Sequence, residues 1–165
     1  MRSLRLAACV AAIALLVAPT AGAATHTHGM FETLPEGTNL GLEIRGVAQL
    51  LRTDDATYAM VTVRGLVPGT IYASHLHNAP CAAPALGGGH YRDDPAGPAM
   101  PPNELWLSSS DDPMGGILAN AAGVAIGFGS ADWVARSDAQ SIVIHNIPPG
   151  GTTAGGPKIA CADLS

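Results

Sequence analysis

The sequence has few basic residues, few cysteines and no long segment with a helical pattern of apolar residues. Eight Lys and Arg residues stand against 13 Asp and Glu in 165 residues, a formal net charge of −5. This balance argues against a nucleic-acid partner, because such binding depends mainly on neutralised phosphates. Apolar residues keep no 3.6-residue period for long without an interrupting Gly or Pro, which argues against a helical fold.

The first 23 residues have the features of a secretory signal peptide in the usual order. Arg2 and Arg5 precede an apolar run over 6–17 and small residues at 21–23. This order predicts cleavage and export to the extracellular, periplasmic or cell-wall space, with no membrane partner. An uncleaved anchor is the alternative, since the apolar stretch over 6–24 is almost long enough to span a bilayer.

Cleavage would leave 142 residues and a charge of −7, because two arginines are lost. That length suits one domain with its own core. We divide the chain into a signal peptide (1–23), a flexible histidine-containing segment (24–38) and one domain (39–165). Two cysteines, Cys81 and Cys161, remain, and in an exported chain they are expected to form one disulfide.

Short β-type segments separated by Gly and Pro turns cover most of this domain. We expect strands within 40–51, 57–66, 71–77, 103–108, 123–129 and 141–145. Many short strands of this kind predict an antiparallel barrel or sandwich. Longer loops at 78–102, 109–116 and 146–157 are where a site would lie on such a scaffold.

The histidines have positions that suit a metal site. In SHLHNAPC (74–81), His75 and His77 project from the same face of a strand, because side chains alternate. His90 follows three glycines and His145 ends the segment SIVIH. Any one of them alone is more often an exposed polar residue. Four imidazoles without a nearby thiol pair suggest copper or zinc, and the ligand type leaves both open.

Four segments follow one another across most of residues 65–161: GLVPGTIYASHLHNAPC, GGGHYRDD, SIVIH and KIACADL. In this combination the chain resembles the copper–zinc superoxide dismutase family. The resemblance implies an all-β, Greek-key antiparallel barrel with long loops, and copper-dependent dismutation of superoxide to oxygen and hydrogen peroxide. It also implies that Cys81 and Cys161 occupy the places of the family's disulfide.

The resemblance implies four copper ligands: His75, His77, His90 and His145. Of these, His90 takes the place of the histidine that bridges copper and zinc, leaves copper in the reduced state and takes up a proton. The family's other zinc ligands are missing, because no histidine follows His90 until His145. The chain therefore resembles the copper-only branch, and we expect copper as cofactor and zinc to be absent.

Two charged residues have expected roles beside the copper. Glu104, with Asp93 or Asp94 behind it, is the candidate acceptor for the second N–H of His90, because metal-bound imidazoles usually donate that proton; a solvated acid is the alternative. Lys158 stands where the family has an arginine that attracts superoxide. It keeps the charge but lacks the planar guanidinium, and a surface lysine is the alternative.

Two further histidines lie just after the predicted cleavage point. A free amine at Ala24, the following amides and His26 could wrap Cu(II) in a square plane, with His28 and Met30 as added ligands. We therefore expect an accessory copper site here, and a solvated tail is the alternative. An exported copper-binding or copper-storage protein with little turnover is the alternative to the dismutase, and a metal-free module is a third possibility.

Overall fold

The computed structural model describes residues 24–110, 115–147 and 156–165. The expected signal peptide, its alternative as an anchor, and most of the loop at 146–157 lie outside these residues. Within them the chain forms eight strands and one short helix: β1 Thr25–Thr33, α1 Pro35–Asn39, β2 Arg45–Arg52, β3 Thr57–Arg64, β4 Ile71–His77, β5 Ile117–Leu118, β6 Val124–Ala131, β7 Ser141–His145 and β8 Lys158–Asp163. No helix in the described ranges is long and apolar enough to cross a membrane.

The strands form one antiparallel sheet in the order β5-β4-β7-β8-β1-β2-β3-β6. The neighbours β4 and β7, β3 and β6, and β8 and β1 are distant in sequence, as in a Greek-key arrangement. The sheet curls until its ends approach, with β5 packed against β6. Between the two ends of the sheet, Trp106 forms an isolated β-bridge with His75 on β4, and Ser108 forms one with Phe128 on β6. The Greek-key barrel that the sequence predicts is confirmed.

Side-chain alternation separates the barrel interior from its outer surface. On β4 and β7, Leu76, Ile142 and Ile144 are buried in the main core. The intervening residues point the other way, because successive strand residues face opposite sides. There Val143 and Cys161 belong to a second, smaller apolar cluster. The odd-numbered histidines of β4 and β7 therefore lie on the outer face of the sheet.

Several expected elements have other boundaries. The segments 71–77 and 141–145 are strands as predicted, but the strand within 40–51 begins only at Arg45. The segment 103–108 makes two isolated bridges rather than a continuous strand. The two-residue β5 went unpredicted, because a pair of residues is too short to show alternation.

The prediction of a flexible segment at 24–38 is wrong. β1 pairs with β2 from Thr25 to Phe31 and with β8 from Phe31 to Thr33, so it belongs to the barrel. The sequence THTHGMFET hides this strand, because apolar Met30 lies at an exposed position and Gly29 at an inward one. A Cβ on Gly29 would lie 1.8 Å from the Asp163 carbonyl oxygen, so close packing against the chain end requires glycine there.

Candidate metal centre

Four histidine side chains converge on the outer face of the sheet. His75 and His77 come from β4, His145 from the end of β7, and His90 from the long loop after β4. Each offers one ring nitrogen, and these nitrogens lie within 4.8 Å of one another. The structure thus brings together the four ligands expected from the sequence. We call them the four-histidine cluster.

The cluster combines three rings held by strands with one held by a loop. The rings of His75, His77 and His145 are within 30° of parallel, with centroids 4.7–5.3 Å apart. The ring of His90 crosses them at 48–59°, and its centroid is 3.9 Å from that of His75. The strands set one common orientation, and the loop closes the group from another direction.

Backbone carbonyls determine which nitrogens of His77 and His145 face the centre. Nδ1 of His77 lies 3.2 and 3.3 Å from the carbonyl oxygens of Gly87 and Gly88. Nδ1 of His145 lies 2.7 Å from the carbonyl oxygen of Gly156. A carbonyl only accepts, so each Nδ1 carries the proton and each Nε2 presents a lone pair. These two Nε2 atoms are 3.1 Å apart. Two lone pairs at that distance repel unless a cation lies between or beside them.

The other two members have buried nitrogens without a hydrogen-bond partner. They are Nδ1 of His75 and Nε2 of His90. Buried polar atoms are rarely left unpaired, and binding of an ion is one of the usual reasons for such a nitrogen. Two unpartnered nitrogens and two facing lone pairs therefore fit a metal ion bound by four imidazoles, a donor set suited to copper or zinc.

Burial keeps the strand-held imidazoles neutral. It lowers the pKa of His75 and of His77 well below the usual value, and the other histidines of the cluster lower both further. Burial also lowers the pKa of His145 to about 4, although its bond to the Gly156 carbonyl opposes this. At neutral pH these rings are uncharged, the form that binds a metal.

A glycine turn supplies the carbonyls that orient His77. Leu86, Gly87 and Gly88 all have positive φ, at 48°, 85° and 66°. A Cβ on Gly87 would lie 2.6 Å from the Val143 side chain, and one on Gly88 would lie 2.5 Å from Ala79. The turn therefore needs glycine for both its conformation and its close packing.

A disulfide fixes the same loop to the sheet. Cys81 and Cys161 are bonded, with Cα atoms 5.6 Å apart, so the expected pairing is present. Cys161 lies on β8 directly beside Val143 of β7. The bond therefore attaches the loop after β4 next to the strand that carries His145.

Glu104 fixes the second nitrogen of His90. The two carboxylate oxygens of Glu104 lie 3.0 and 3.1 Å from Nδ1 of His90, and the Glu104 side chain is 1% exposed. The structure thus places Glu104 where the sequence suggested. Asp93 and Asp94 are not behind it: Asp93 faces Arg136 at 3.8 Å, and Asp94 accepts from the Ala96 amide.

Trp106 is the residue behind Glu104, and sequence reasoning missed it. Its Nε1 donates to Oε2 of Glu104 at 2.7 Å. Its ring also stacks on His75, with centroids 4.8 Å apart and planes at 29°. The signal available in the sequence was its spacing, because positions two apart in the extended segment NELW share a face.

Lys158 lies at the edge of the cluster. It is paired with His145 across β7 and β8, beside an irregularity between Ile144 and His145. Its ammonium donates to the Gly88 carbonyl, which also faces His77. Burial lowers the pKa of Lys158, and its charge lowers the pKa of both His77 and His145. A positive group is therefore held next to the cluster.

His26 and His28 lie apart from the cluster, on β1. Both are exposed, and Nε2 of His26 is 3.2 Å from Oε1 of Gln49. The expected amino-terminal chelate requires consecutive backbone nitrogens to curl around one ion, and an extended strand does not have that conformation. Residues 25 and 26 are instead paired with β2.

No protein-family model matches the sequence, and no curated protein sequence does. Among solved structures the chain is similar to the Cu/Zn superoxide dismutase from Brucella abortus. The TM-score is 0.54 with 21% identity, over 87% of this chain and 100% of that one. The chain therefore has the fold of a Cu/Zn superoxide dismutase, with a four-histidine cluster able to hold a metal ion.

Proposed function

We propose that the protein is a copper-dependent superoxide dismutase that works outside the cytoplasm. The observation that carries the proposal is the convergence of four imidazoles whose free nitrogens face one another. The fold supports it, because the solved structure it resembles bears the name of that enzyme. The Cys81–Cys161 disulfide is compatible with an oxidising, extracytoplasmic location.

A bound copper ion would supply one-electron chemistry, oxidising one superoxide to oxygen and reducing a second to peroxide. His75, His77 and His145 would hold it, since carbonyl partners fix the rings of His77 and His145 and Trp106 stacks on that of His75. His90 is placed to hold a proton at Nε2, because its Nδ1 is engaged by Glu104. The His90 side chain is 14% exposed, more than the three strand-held rings, although Nε2 itself is buried.

Lys158 would draw the superoxide anion toward the cluster. The net charge of the chain is negative, so attraction of an anion needs local positive charge. The positive charge of the Lys158 ammonium lowers the pKa of both His77 and His145, so it acts at the cluster. Because it already donates to the Gly88 carbonyl, it supplies charge more than a defined docking geometry.

One observation favours a copper-storage role instead. The strand-held histidines are 2%, 0% and 1% exposed, which suits tight retention of an ion better than rapid access by a substrate. In that alternative, copper binds with the same ligands but superoxide turnover is slight.

The deciding experiment measures superoxide consumption by the metal-free, copper-loaded and zinc-loaded protein. We expect activity only with copper, and its loss in His145→Ala, which removes one ligand. Thr62→Ala, an exposed change on β3, is the matched control and should keep full activity. An inactive copper-loaded protein would favour storage, whereas full activity in His145→Ala would exclude the cluster as the catalytic centre.

The role of Lys158 is tested by Lys158→Ala and Lys158→Arg. We expect the alanine variant to have lower kcat/KM and a weaker dependence on salt, because a steering charge is lost. The arginine variant should retain the salt dependence. If the alanine variant matched the parent protein at every ionic strength, Lys158 would have no part in attracting the anion.

A further inference from the structure

We infer that His26 and His28, here called the outer pair, form a second copper site together with Met30. This site is separate from the four-histidine cluster, which contains neither histidine. It requires no turnover at the cluster, so it stands or falls independently of the proposed dismutase activity.

The geometry of β1 places these side chains on one exposed face. His26, His28 and Met30 alternate with Thr27, Gly29 and Phe31, and Gly29 and Phe31 are buried. The rings of His26 and His28 are 6.3 Å apart at an angle of 24°. The widest pair in the four-histidine cluster, His90 and His145, has a similar separation of 6.0 Å. Small rotations of exposed side chains would close the remaining difference.

The surroundings of the outer pair add donors that suit copper. Gln49 lies opposite His28 on β2, and its Oε1 is 3.2 Å from Nε2 of His26. Nδ1 of His26 is then the nitrogen available to an ion. Met30 is 63% exposed, so its thioether is accessible from solvent. Its thioether is a soft ligand suited to Cu(I), whereas two imidazoles suit Cu(II) as well.

The strand changes the kind of site that the sequence suggested. A chelate through the amine and consecutive amides would need β1 to leave β2, with which residues 25–31 are paired. A site made of side chains alone leaves that pairing intact. It therefore needs no free amine at residue 24, and this distinguishes the two arrangements experimentally.

The position of the outer pair suggests a role in collecting copper. His26 lines a groove of about 1150 Å³ whose other walls include Glu104 and Trp106. Those two residues contact His90 and His75 of the cluster. An ion held at the outer pair thus lies at one side of a groove that reaches the back of the cluster, so the site should speed copper loading when copper is scarce.

The test counts copper ions per chain in the protein and in the double variant His26→Asn/His28→Asn. We expect two ions in the parent and one in the variant, with the cluster's copper spectrum unchanged. Each single variant should lower the affinity of the second ion by about 10²-fold, because one of two linked ligands is lost. Glu32→Gln, an exposed change on the same strand, should keep both ions.

Three further arms separate the possible failures. In His145→Ala the ion at the outer pair should remain, which tests it without a working cluster. Met30→Leu should weaken Cu(I) binding and leave Cu(II) binding unchanged. Extra residues before Ala24 should change nothing, and loss of the second ion in that protein would replace our site with the amine chelate. A single ion in the parent protein, or two in the double variant, would overturn the inference.

Discussion

The chain carries the same His-x-His pattern on two strands of one sheet, with opposite results. On β4, His75 and His77 are 2% and 0% exposed, and their rings are 4.8 Å apart. On β1, His26 and His28 are exposed, with rings 6.3 Å apart. Both pairs lie on the outer face of the barrel. The strand supplies a shared side-chain direction in both cases, so the strand alone does not make a buried centre.

The difference lies in what covers each pair. Over β4 the loop after His77 folds back, contributes His90 and the carbonyls of Gly87 and Gly88, and is bonded to β8 through Cys81. In the described part of the chain, the side chain that lies within hydrogen-bond distance of the outer pair is that of Gln49. The covered pair gains a fixed tautomer at His77, lowered pKa values at both histidines and additional ligands. An uncovered pair keeps free rotamers and ready access, which suits capture of an ion rather than its retention.

Removing the disulfide should have the largest effect on this contrast. Cys81→Ser/Cys161→Ser opens a loop of sequence separation 80, which chain entropy relates to a loss of about 4.5 kcal/mol at most. We expect a lower urea midpoint and weaker copper binding at the cluster, with the outer pair unaffected. The measurement is urea unfolding and copper titration of the double variant and of the parent protein. Unchanged copper affinity at the cluster would show that the loop after His77 stays in place over β4 without this bond.

The contrast also explains how far the sequence could be interpreted. The buried pair was identifiable because β4 and β7 have clear patterns, and because the segments around His90 and Cys161 resemble a known family. β1 was missed because apolar Met30 occupies an exposed position and Gly29 an inward one, so the alternation is broken. Trp106 was missed because its role depends on a contact across the loop, which its spacing from Glu104 indicates only once the extended segment is known.

Acidification of the metal-free protein should have the next largest effect. The pKa of His145 is lowered from 6.5 to about 4, so the unfolded chain takes up a proton that the folded chain refuses. This contribution to stability is complete above pH 6.5 and is lost as pH falls toward 4, by about 3 kcal/mol. His75 and His77 shift in the same direction.

Urea unfolding of the metal-free protein at several pH values between 7.5 and 4 checks this expectation. His145→Gln should flatten the dependence on pH, because one of the buried imidazoles is gone, whereas Thr62→Ala should keep it. A stability that stays constant between pH 6.5 and 4 in the parent protein would mean that covering β4 does not exclude protons from these rings.

The smallest effect should come from Trp106→Phe, which removes one supporting hydrogen bond of the cluster and leaves the loop over β4 in place. Phenylalanine keeps a ring against His75 but loses the N–H that donates to Glu104. Glu104 would then orient His90 less firmly, and loss of such a supporting contact typically costs 10–100-fold in metal affinity. We expect a loss within roughly that range at the cluster and a shifted copper EPR spectrum, with binding at the outer pair unchanged. If affinity and spectrum both matched the parent protein, the carboxylate alone would position His90, and Trp106 would serve only as part of the cover.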